Sequence, residues 1–362
     1  MKRFYIFAIA LLLPLGAAAA PKEYKFTEAS ALTLTGQLFT DNPNPYHRLD
    51  TVRFKGFSKG ENRLVREAAG LACAFRTNST VITVKTQYLS PRSIDNTTGI
   101  CTRGYDLYIK DGGRWVYAAS KTQAESRKSE NLVLIDGLKE GRNYECLLYF
   151  PIYSELGSVQ IGIDKNADIE ALDYPFRGRV VLFGSSFSQG FCSARSGMSY
   201  AAVFSRRTGI EIINLGVSGS CTLQPYFADA LIAAPAVDAY LFDTFSNPSA
   251  AMIRERLFPF IEKIQAVRPG VPLISQQTIR RESRNFSSKN ESVEAAKMAV
   301  ADSLMKIAVK KYKDVYYIKP DASSDLYATC TDGTHPDDYG HYLWERSIEK
   351  PLLRILRRYK IF

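Results

Sequence analysis

The hydrophobic pattern of this 362-residue chain changes near its middle, and this change constrains the fold more than any other feature. Up to about residue 172, apolar and polar residues alternate in short segments, as in β-strands with one buried face. After about residue 178, apolar runs alternate with segments of helical period. We therefore predict a β-sandwich domain over residues 21–172 and an α/β domain over residues 178–362, with their junction at residues 164–179.

The N-terminal half is predicted to consist of strands joined by short turns. Residues 80–86 and 105–110 alternate apolar with polar side chains. Asp111-Gly112-Gly113 is typical of a hairpin turn, and it leads into a strand at residues 114–117. Further strands are predicted at residues 131–135, 144–149 and 158–163. No segment of this half shows a convincing helical period, which favours a β-sandwich.

In the C-terminal half, predicted strands and helices follow each other in turn. The strands are predicted at residues 180–183, 210–214, 239–243, 271–275 and 315–318, and the helices at residues 199–207, 225–233, 250–267, 293–311 and from about residue 338 onward. This alternation predicts an open, mostly parallel sheet. Ligands of such sheets bind at the carboxyl ends of the strands, so functional residues are expected just after each strand.

The N-terminus has the pattern of a secretory signal peptide over residues 1–20. Lys2-Arg3 precedes an apolar run at residues 4–15, and Gly16 and four alanines follow it. The run is short for a membrane span, although an uncleaved anchor is the alternative. No later stretch is long and apolar enough to cross a bilayer. We therefore predict a protein that is exported, to a periplasm or to the exterior of the cell, and is not inserted in the membrane after cleavage.

The charge of the chain is basic, with 47 lysines and arginines against 37 aspartates and glutamates. Without Lys2 and Arg3 the count is 45 against 37, a net charge of +8. An excess of this size could attract an acidic polysaccharide or a membrane surface, but we interpret it mainly as the charge of a solvated surface. Nucleic acid is not expected, because the basic residues are scattered and the protein is predicted to be exported.

The six cysteines are allowed to form disulfides in an oxidising compartment, although the sequence alone does not give the pairing. No CxxC motif is present and histidine is scarce, which makes a structural zinc site improbable. Cys192 and Cys221 follow the first two strands of the parallel sheet, which are expected to be neighbours. A disulfide between them is therefore one candidate.

Polar residues follow the first three strands of the predicted sheet. Gly184-Ser185-Ser186 allows a sharp turn that presents a serine at the edge of the sheet. Gly219 can present a backbone N–H group and Asn247 a side-chain amide to a substrate oxygen. Each feature alone is also ordinary turn chemistry, because Gly-Ser turns cap helices and asparagine commonly precedes proline.

A fourth element contains one of only three histidines. Asp332 and His335 stand three positions apart in a glycine-containing turn, where the carboxylate can hold one tautomer of the imidazole. The other ring nitrogen would then be free to act as a base. We assign no role to His47 or His341, and we place His341 on the last helix.

These four elements, in this order, resemble the SGNH (GDSL) hydrolase superfamily over residues 179–356. The resemblance implies a three-layer, flavodoxin-like domain in which Ser186 is the nucleophile. It further implies that Asp332 and His335 complete a catalytic triad. The oxyanion hole would consist of the backbone N–H groups of Ser186 and Gly219 and the side-chain amide of Asn247.

The sequence departs from the family pattern at two points. Ser185 stands where an aspartate usually precedes the nucleophile, and the usual glycines are missing before Asn247. Because Ser185 and Ser186 are adjacent, the first departure leaves two candidate nucleophiles.

A second motif narrows the resemblance to one bacterial subgroup. Its members carry an N-terminal β-sandwich named for a Gly-x-Asp-Leu-Tyr motif, and residues 104–108 read Gly-Tyr-Asp-Leu-Tyr. The resemblance implies an exported serine esterase without metal or organic cofactor. Its expected substrate is an acylated carbohydrate, with O-acetyl groups preferred.

Two alternative functions stay open from the sequence. One is a lipase or aryl-esterase acting on short-chain esters. The other is a carbohydrate-binding surface protein without activity, in which aromatic residues of the sandwich would contact sugar. The sequence does not indicate the oligomeric state.

Overall fold

A computed structural model describes residues 22–122, 131–322 and 324–362. The predicted signal peptide at residues 1–20 lies outside the described residues. Within the described ranges the chain forms eight α-helices and fifteen β-strands, and the strands make three sheets. None of the helices in these ranges is long and apolar enough to cross a membrane.

Ten strands of the N-terminal half form two antiparallel sheets. They are β1 (Tyr24–Glu28), β2 (Thr33–Thr35), β3 (Ala72–Thr77), β4 (Val81–Ser90), β5 (Gly104–Asp111), β6 (Arg114–Thr122), β7 (Leu132–Asp136), β8 (Tyr144–Tyr149), β9 (Glu155–Asp164) and β10 (Ile169–Ala171). One sheet has the order β1-β9-β4-β7, and the other has the order β10-β3-β8-β5-β6 with β2 on β3. A shared core of alternate residues from both, such as Val84 and Phe75, lies between them. The predicted β-sandwich is confirmed.

Two short helices interrupt this half, so the expectation of strands alone is wrong. Helix α1 (Lys59–Arg66) begins with a capping box, in which Ser58 and Glu61 each accept a backbone N–H of the other. Helix α2 (Gly99–Arg103) is capped by Thr98, whose hydroxyl accepts the Cys101 N–H group. Both are too short to show a helical period in the sequence.

The C-terminal half is a five-stranded parallel sheet with helices between its strands. The elements are β11 (Arg177–Gly184), α3 (Ser186–Gln189), α4 (Tyr200–Thr208), β12 (Ile210–Gly216), α5 (Pro225–Ala233), β13 (Ala239–Asp243), α6 (Ala250–Val267), β14 (Leu273–Gln276), α7 (Ser288–Lys311), β15 (Val315–Ile318) and α8 (Asp338–Arg358). The strand order is β12-β11-β13-β14-β15. The order reverses at β11, and such a switch point places a crevice at the carboxyl ends of the central strands.

Helices cover both faces of this sheet, and the side chains of β11 are therefore buried in both directions. Val181 and Phe183 pack with α5, α6 and α7, whereas Val180 and Leu182 pack with α4 and α8. All four side chains are fully buried. The predicted three-layer α/β arrangement is confirmed.

The Gly-x-Asp-Leu-Tyr motif lies where the two halves of the chain meet. The fully buried carboxylate of Asp106 accepts the Gly197 N–H group at 2.9 Å and lies 3.3 Å from Nε of Arg195. The Arg206 guanidinium lies 3.8 Å from the centroid of the Tyr108 ring. Burial raises the pKa of Asp106 to about 6. The motif therefore joins the sandwich to the segment that precedes α4.

All six cysteines lie within the described ranges, and all are free thiols. The predicted disulfide between Cys192 and Cys221 is therefore wrong. Sγ of Cys192 lies 3.1 Å from the Asn96 carbonyl oxygen, whereas Sγ of Cys221 lies 3.9 Å from the Asp243 carbonyl oxygen. The two sulfurs thus face different parts of the chain although their strands are neighbours.

Candidate active site

Ser186 lies at the carboxyl end of β11, where the chain turns directly into α3. Ser185 caps this helix by accepting the Phe187 N–H group at 3.2 Å. On the neighbouring strand, Gly216 leaves no room for a side chain, because a Cβ atom there would lie 2.2 Å from the Gln189 nitrogen. Helix α3 therefore packs directly against β12 and presents the Ser186 hydroxyl at the sheet edge.

The structure brings Ser186, His335 and Asp332 together in one chain of hydrogen bonds. Nε2 of His335 lies 2.9 Å from the Ser186 hydroxyl, and Nδ1 lies 2.8 Å from Oδ2 of Asp332. A carboxylate at Nδ1 holds the proton on that nitrogen and leaves Nε2 as an acceptor for the serine proton. The geometry is that of a nucleophile, a base and an orienting group.

Asp332 is fixed by several donors. Its Oδ1 accepts the backbone N–H groups of Thr334 at 2.9 Å and His335 at 2.8 Å. Partial burial by itself would raise the pKa of Asp332, but hydrogen bonds from the His335 ring and from these N–H groups outweigh it and lower the pKa below its usual value. Asp332 is therefore ionised at neutral pH.

Asn96 is a further partner of Asp332 that sequence reasoning missed. Its Nδ2 atom donates to Oδ2 of Asp332 at 2.6 Å, across 236 positions of the chain. Asn96 comes from the loop between β4 and α2 in the sandwich half. No local motif marks it, because only the packing of the two halves brings it to the site.

Gly219 and Asn247 lie beside Ser186, at the carboxyl ends of β12 and β13. Gly219 has a φ of +70°, and no atom would touch a Cβ placed there, so it faces open space. Oδ1 of Asn247 accepts the Cys221 N–H group at 3.3 Å, which leaves the Asn247 Nδ2 atom as a donor for another group. Both residues line the same cavity as Ser186 and His335.

This cavity has a volume of about 340 Å³. Its apolar and aromatic lining consists of Leu64, Ile94, Tyr153 and Phe191, and its basic lining consists of Arg63, Arg92 and Arg281. Phe191 also meets the His335 ring edge-on, with 4.5 Å between the ring centroids. Larger surface cavities lie elsewhere, such as one of about 660 Å³ between α5 and α6, but Ser186 and His335 do not line them.

Ser185 is turned away from this cavity. It is buried, and its hydroxyl donates to Oδ2 of the fully buried Asp243 at 2.6 Å. Ser188 donates to the same oxygen at 2.8 Å. Burial raises the pKa of Asp243, against the opposing effect of these hydrogen bonds. Of the two adjacent serines, Ser186 alone is within hydrogen-bond distance of His335.

Arg48 is a second functional candidate that comes from the sandwich half. Its buried guanidinium donates to the carbonyl oxygens of Asn214 at 3.2 Å and Gly216 at 2.7 Å, at the carboxyl end of β12. It also donates to the Glu67 carbonyl oxygen at 2.9 Å. The segment that leads to Gly219 is thus supported from the other domain.

One group of side chains near the site has ligand atoms close enough to one another to hold a metal ion. Ligand atoms of Cys192, Asp332 and His335 all lie within 4.8 Å of one another. Burial and the nearby Asp332 carboxylate raise the pKa of the Cys192 thiol to about 12, so it is not a ready thiolate ligand. The His335 ring is hydrogen-bonded at both nitrogens. The arrangement fits a proton-transfer chain better than a metal centre.

His341 lies on α8, as predicted, and is fully buried behind the site. Its Nδ1 accepts the Tyr200 N–H group at 3.2 Å, and its Nε2 donates to the Phe191 carbonyl oxygen at 3.2 Å. This pairing requires the neutral ring. Burial lowers the pKa of His341 to about 4.

We therefore expect His341 to make the folded protein sensitive to acid. A histidine that is held neutral contributes stability above its unfolded pKa of about 6.5, and this contribution is lost as the pH falls toward the folded pKa. Between pH 7 and pH 5 the wild type should lose about 2 kcal/mol more unfolding free energy than the His341→Gln variant. Urea unfolding of both proteins at the two pH values checks this, and equal losses would contradict it.

Two family models match the chain. The model of the N-terminus of SGNH-hydrolase-type esterases, named for the GxDLY motif, matches residues 24–169. The model of the GDSL-like lipase/acylhydrolase family matches residues 177–353. No curated protein matches the sequence.

Similar solved structures cover nearly the whole chain. A GDSL-like lipase of Bacteroides ovatus is 32% identical with a TM-score of 0.88, and the match covers 92% of this chain and 98% of that one. A family two carbohydrate esterase of Cellvibrio japonicus has a TM-score of 0.60 at 11% identity, covering 93% and 99%. An acetyl xylan esterase of Butyrivibrio proteoclasticus has a TM-score of 0.54 at 11% identity, covering 92% and 98%.

The last two likenesses concern the fold alone, because their identity to this chain is low. The first combines 32% identity with coverage of both halves, and it agrees with the two family models. The chain therefore belongs to the GDSL-like lipase and esterase family, with the N-terminal GxDLY domain that precedes SGNH-type hydrolases.

Proposed function

We propose that the protein is a serine esterase whose catalytic triad is Ser186, His335 and Asp332. The observation that carries the proposal is the continuous hydrogen-bonded chain of these side chains, which ends at a serine hydroxyl in an open cavity. Ser186 Oγ attacks the ester carbonyl carbon while its proton passes to Nε2 of His335. Asp332 stabilises the imidazolium that results.

The second half of the reaction releases the products. His335 gives its proton to the leaving alcohol as the carbon–oxygen ester bond breaks, which leaves the acyl group on Ser186. Water then attacks this acyl-enzyme and passes a proton to His335, and the serine departs with that proton as the carboxylic acid is released. The proton transfers need only these side chains and water.

The negative charge on the carbonyl oxygen would be met by three donors. They are the backbone N–H groups of Ser186 and Gly219 and the Nδ2 atom of Asn247. The Cys221 N–H group orients the Asn247 amide by donating to its other end. Donors fixed in this way lower the barrier because they need no reorganisation when the charge develops.

We propose O-acetyl groups on carbohydrate as the substrate. The cavity of about 340 Å³ lies at the small end of the range for ligand sites, roughly 300–1,000 Å³, and suits a short acyl group. The three arginines in its lining favour a polar alcohol over a lipid. The names of the similar carbohydrate esterase structures support the same class, although only through the fold.

Two features bear on the alternatives. A long acyl chain would need a larger apolar surface than the four apolar and aromatic residues of the cavity provide, so a short-chain or aryl ester is the second candidate. Tyr105 is buried in the sandwich core and Tyr108 is buried where the two halves meet, so neither is available to bind sugar, whereas Tyr117 is exposed. The export proposed from the N-terminal sequence agrees with a polysaccharide substrate outside the cell.

Acetate release from acetylated xylan, from acetylated pectin and from p-nitrophenyl acetate tests the proposal. We expect the purified protein to release acetate from a glycan, and the Ser186→Ala variant to do so at a rate reduced by about 10⁴-fold or more. Activity on the small ester alone would support the esterase and contradict the glycan. Without activity on any ester, and without labelling by a fluorophosphonate probe, the esterase proposal would be wrong.

Replacing Asn247 by alanine should lower kcat by about 10²-fold, because one donor to the oxyanion is lost. The Asn247→Asp variant is the matched control. It keeps the oxygen that accepts the Cys221 N–H group but lacks the amide donor, so it should lose at least as much activity. An active Asp variant would show that Asn247 has only a structural role.

A further inference from the structure

The cavity at Ser186 has a strongly basic lining. Arg63, Arg92 and Arg281 contribute to it, and the described residues contribute no carboxylate to the same lining. Asp332 lies behind His335, on the far side of the ring from Ser186. A substrate bound here would therefore meet cationic groups on several sides.

Two of these arginines are paired with buried carboxylates. Arg92 lies 2.9 Å from Glu67, and Arg281 lies 3.0 Å from Glu294. Glu294 is also shared with Lys297, at 2.7 Å. These arginines are held in place by their partners. The charge of Arg92 is compensated by Glu67, whereas Glu294 faces both Arg281 and Lys297, so part of the positive charge remains there.

Arg63 differs from them. It is exposed, and within the described ranges of the chain no carboxylate lies at ion-pair distance from its guanidinium. It is therefore the one arginine of this lining, among the described residues, that has no carboxylate partner, and its whole charge is left for an external partner. An unpaired guanidinium offers a fork of N–H donors that matches a carboxylate.

Arg63 stands on a helix that is firmly attached to the catalytic half. Helix α1 begins with the Ser58 and Glu61 capping box, and Oε1 of Glu61 accepts hydrogen bonds from Gln224 and Tyr226, each at 2.9 Å. Leu64 packs into the core beside the parallel sheet. The base of the Arg63 side chain is thus fixed at the rim of the cavity.

The basic surface continues beyond this cavity. Arg281 also lines an adjoining cavity of about 370 Å³, together with Lys289. Glu294 is the one carboxylate in that lining among the described residues, and it is paired with Arg281 and Lys297. Two adjoining cavities with basic linings suit a chain of linked anionic units better than a single small anion.

We propose that the substrate is an acidic polysaccharide, and that Arg63 binds the carboxylate of a uronic acid unit near the acetyl ester held at Ser186. The inference rests on the esterase function proposed above and names its substrate class. It makes Arg63 a specificity residue contributed by the sandwich half. One role of the N-terminal domain is then to select the charge of the glycan.

The test compares acetylated polygalacturonate with the same polymer after methyl esterification of its carboxylates. The two polymers share backbone and acetyl groups, and they differ in charge. We expect kcat/KM of the wild type to be about tenfold higher on the acidic polymer, because a charge-assisted pair is formed only there. Added salt should reduce this preference.

The Arg63→Ala variant should reduce the preference about tenfold, mainly through KM on the acidic polymer. Lys59→Ala is the matched control, because it removes the same charge from the same helix outside the cavity lining. We expect that variant to keep the preference. A preference that survives Arg63→Ala, or one that Lys59→Ala abolishes equally, would overturn the assignment to Arg63.

The failure of this inference can be told apart from the failure of the proposed function. Hydrolysis of both polymers at equal rates would contradict the acidic substrate and leave the esterase standing. If no ester is hydrolysed, the esterase proposal fails, and calorimetric titration of the wild type and the Arg63→Ala variant with oligogalacturonate tests the anion site separately. Equal affinity in that titration would overturn the inference, and free sulfate binding as tightly as the uronate would overturn its specificity for carboxylate.

Discussion

The Ser186→Ala variant should hydrolyse p-nitrophenyl acetate at a kcat reduced by about 10⁴-fold or more. Removal of the nucleophile abolishes the acyl-enzyme route, and the remaining rate comes from the oxyanion donors and substrate binding. The fold should persist, because the change deletes one partly exposed hydroxyl. Steady-state kinetics and the thermal unfolding midpoint check both parts.

The neighbouring serine provides the control for this prediction. Ser185→Ala removes the cap of α3 and the 2.6 Å hydrogen bond to Asp243, so it should lower stability by about 1–2 kcal/mol. It should retain a fluorophosphonate-reactive site, which the Ser186→Ala variant should lack. If the two variants behaved in the opposite way, Ser185 would be the nucleophile.

The Asp332→Asn variant should lower kcat by about 10⁴-fold. The amide is close in shape to the carboxylate, but it favours the wrong tautomer of His335 and does not stabilise the imidazolium. Asp325→Asn, an exposed change in the same loop, should leave kcat unchanged. A fall of less than tenfold in the Asp332→Asn variant would show that His335 does not depend on this carboxylate.

Asn96→Ala provides a graded comparison at the same carboxylate. Asp332 keeps its two backbone donors and His335, so the loss of one hydrogen bond should reduce kcat about tenfold or less. Steady-state kinetics on p-nitrophenyl acetate and the thermal unfolding midpoint check this, and a fall in kcat as large as that of the Asp332→Asn variant would contradict it.

The sandwich half contributes directly to the proposed active site through Arg48, Arg63 and Asn96. Arg48 supports the end of β12, Asn96 holds Asp332, and Arg63 lines the cavity. Asp106 of the GxDLY motif fixes the position of the sandwich on the parallel-sheet half. The proposed active site is therefore a product of both halves of the chain.

The sequence by itself determined the fold class, and it named the central residues of the proposed active site. Strands β8, β13 and β15 and helices α5 and α6 have the bounds that were predicted from the sequence. Their ends are marked by strong local signals, such as Pro225 at the start of α5 and the Ser249 cap of α6. Helix α7 begins at Ser288, five residues earlier than predicted, because the Ser287 hydroxyl caps it. The order of Ser186, Gly219, Asn247, Asp332 and His335 was also readable, since each follows a strand or precedes a helix.

Only the tertiary structure decided which residues of the N-terminal half reach the site. Helices α1 and α2 are too short to produce a period, and Asn96 lies in a loop without any recognisable motif. These helices and Asn96 reach the proposed site through contacts with residues far away in the sequence. Asn96 and Asp332, for example, are 236 positions apart. Tertiary packing likewise turns the Ser185 hydroxyl toward Asp243 and the Ser186 hydroxyl toward His335. It also directs the sulfurs of Cys192 and Cys221 to different parts of the chain. Local sequence encodes local hydrogen bonds and periods, whereas the direction of a side chain in a loop is set by what packs against it.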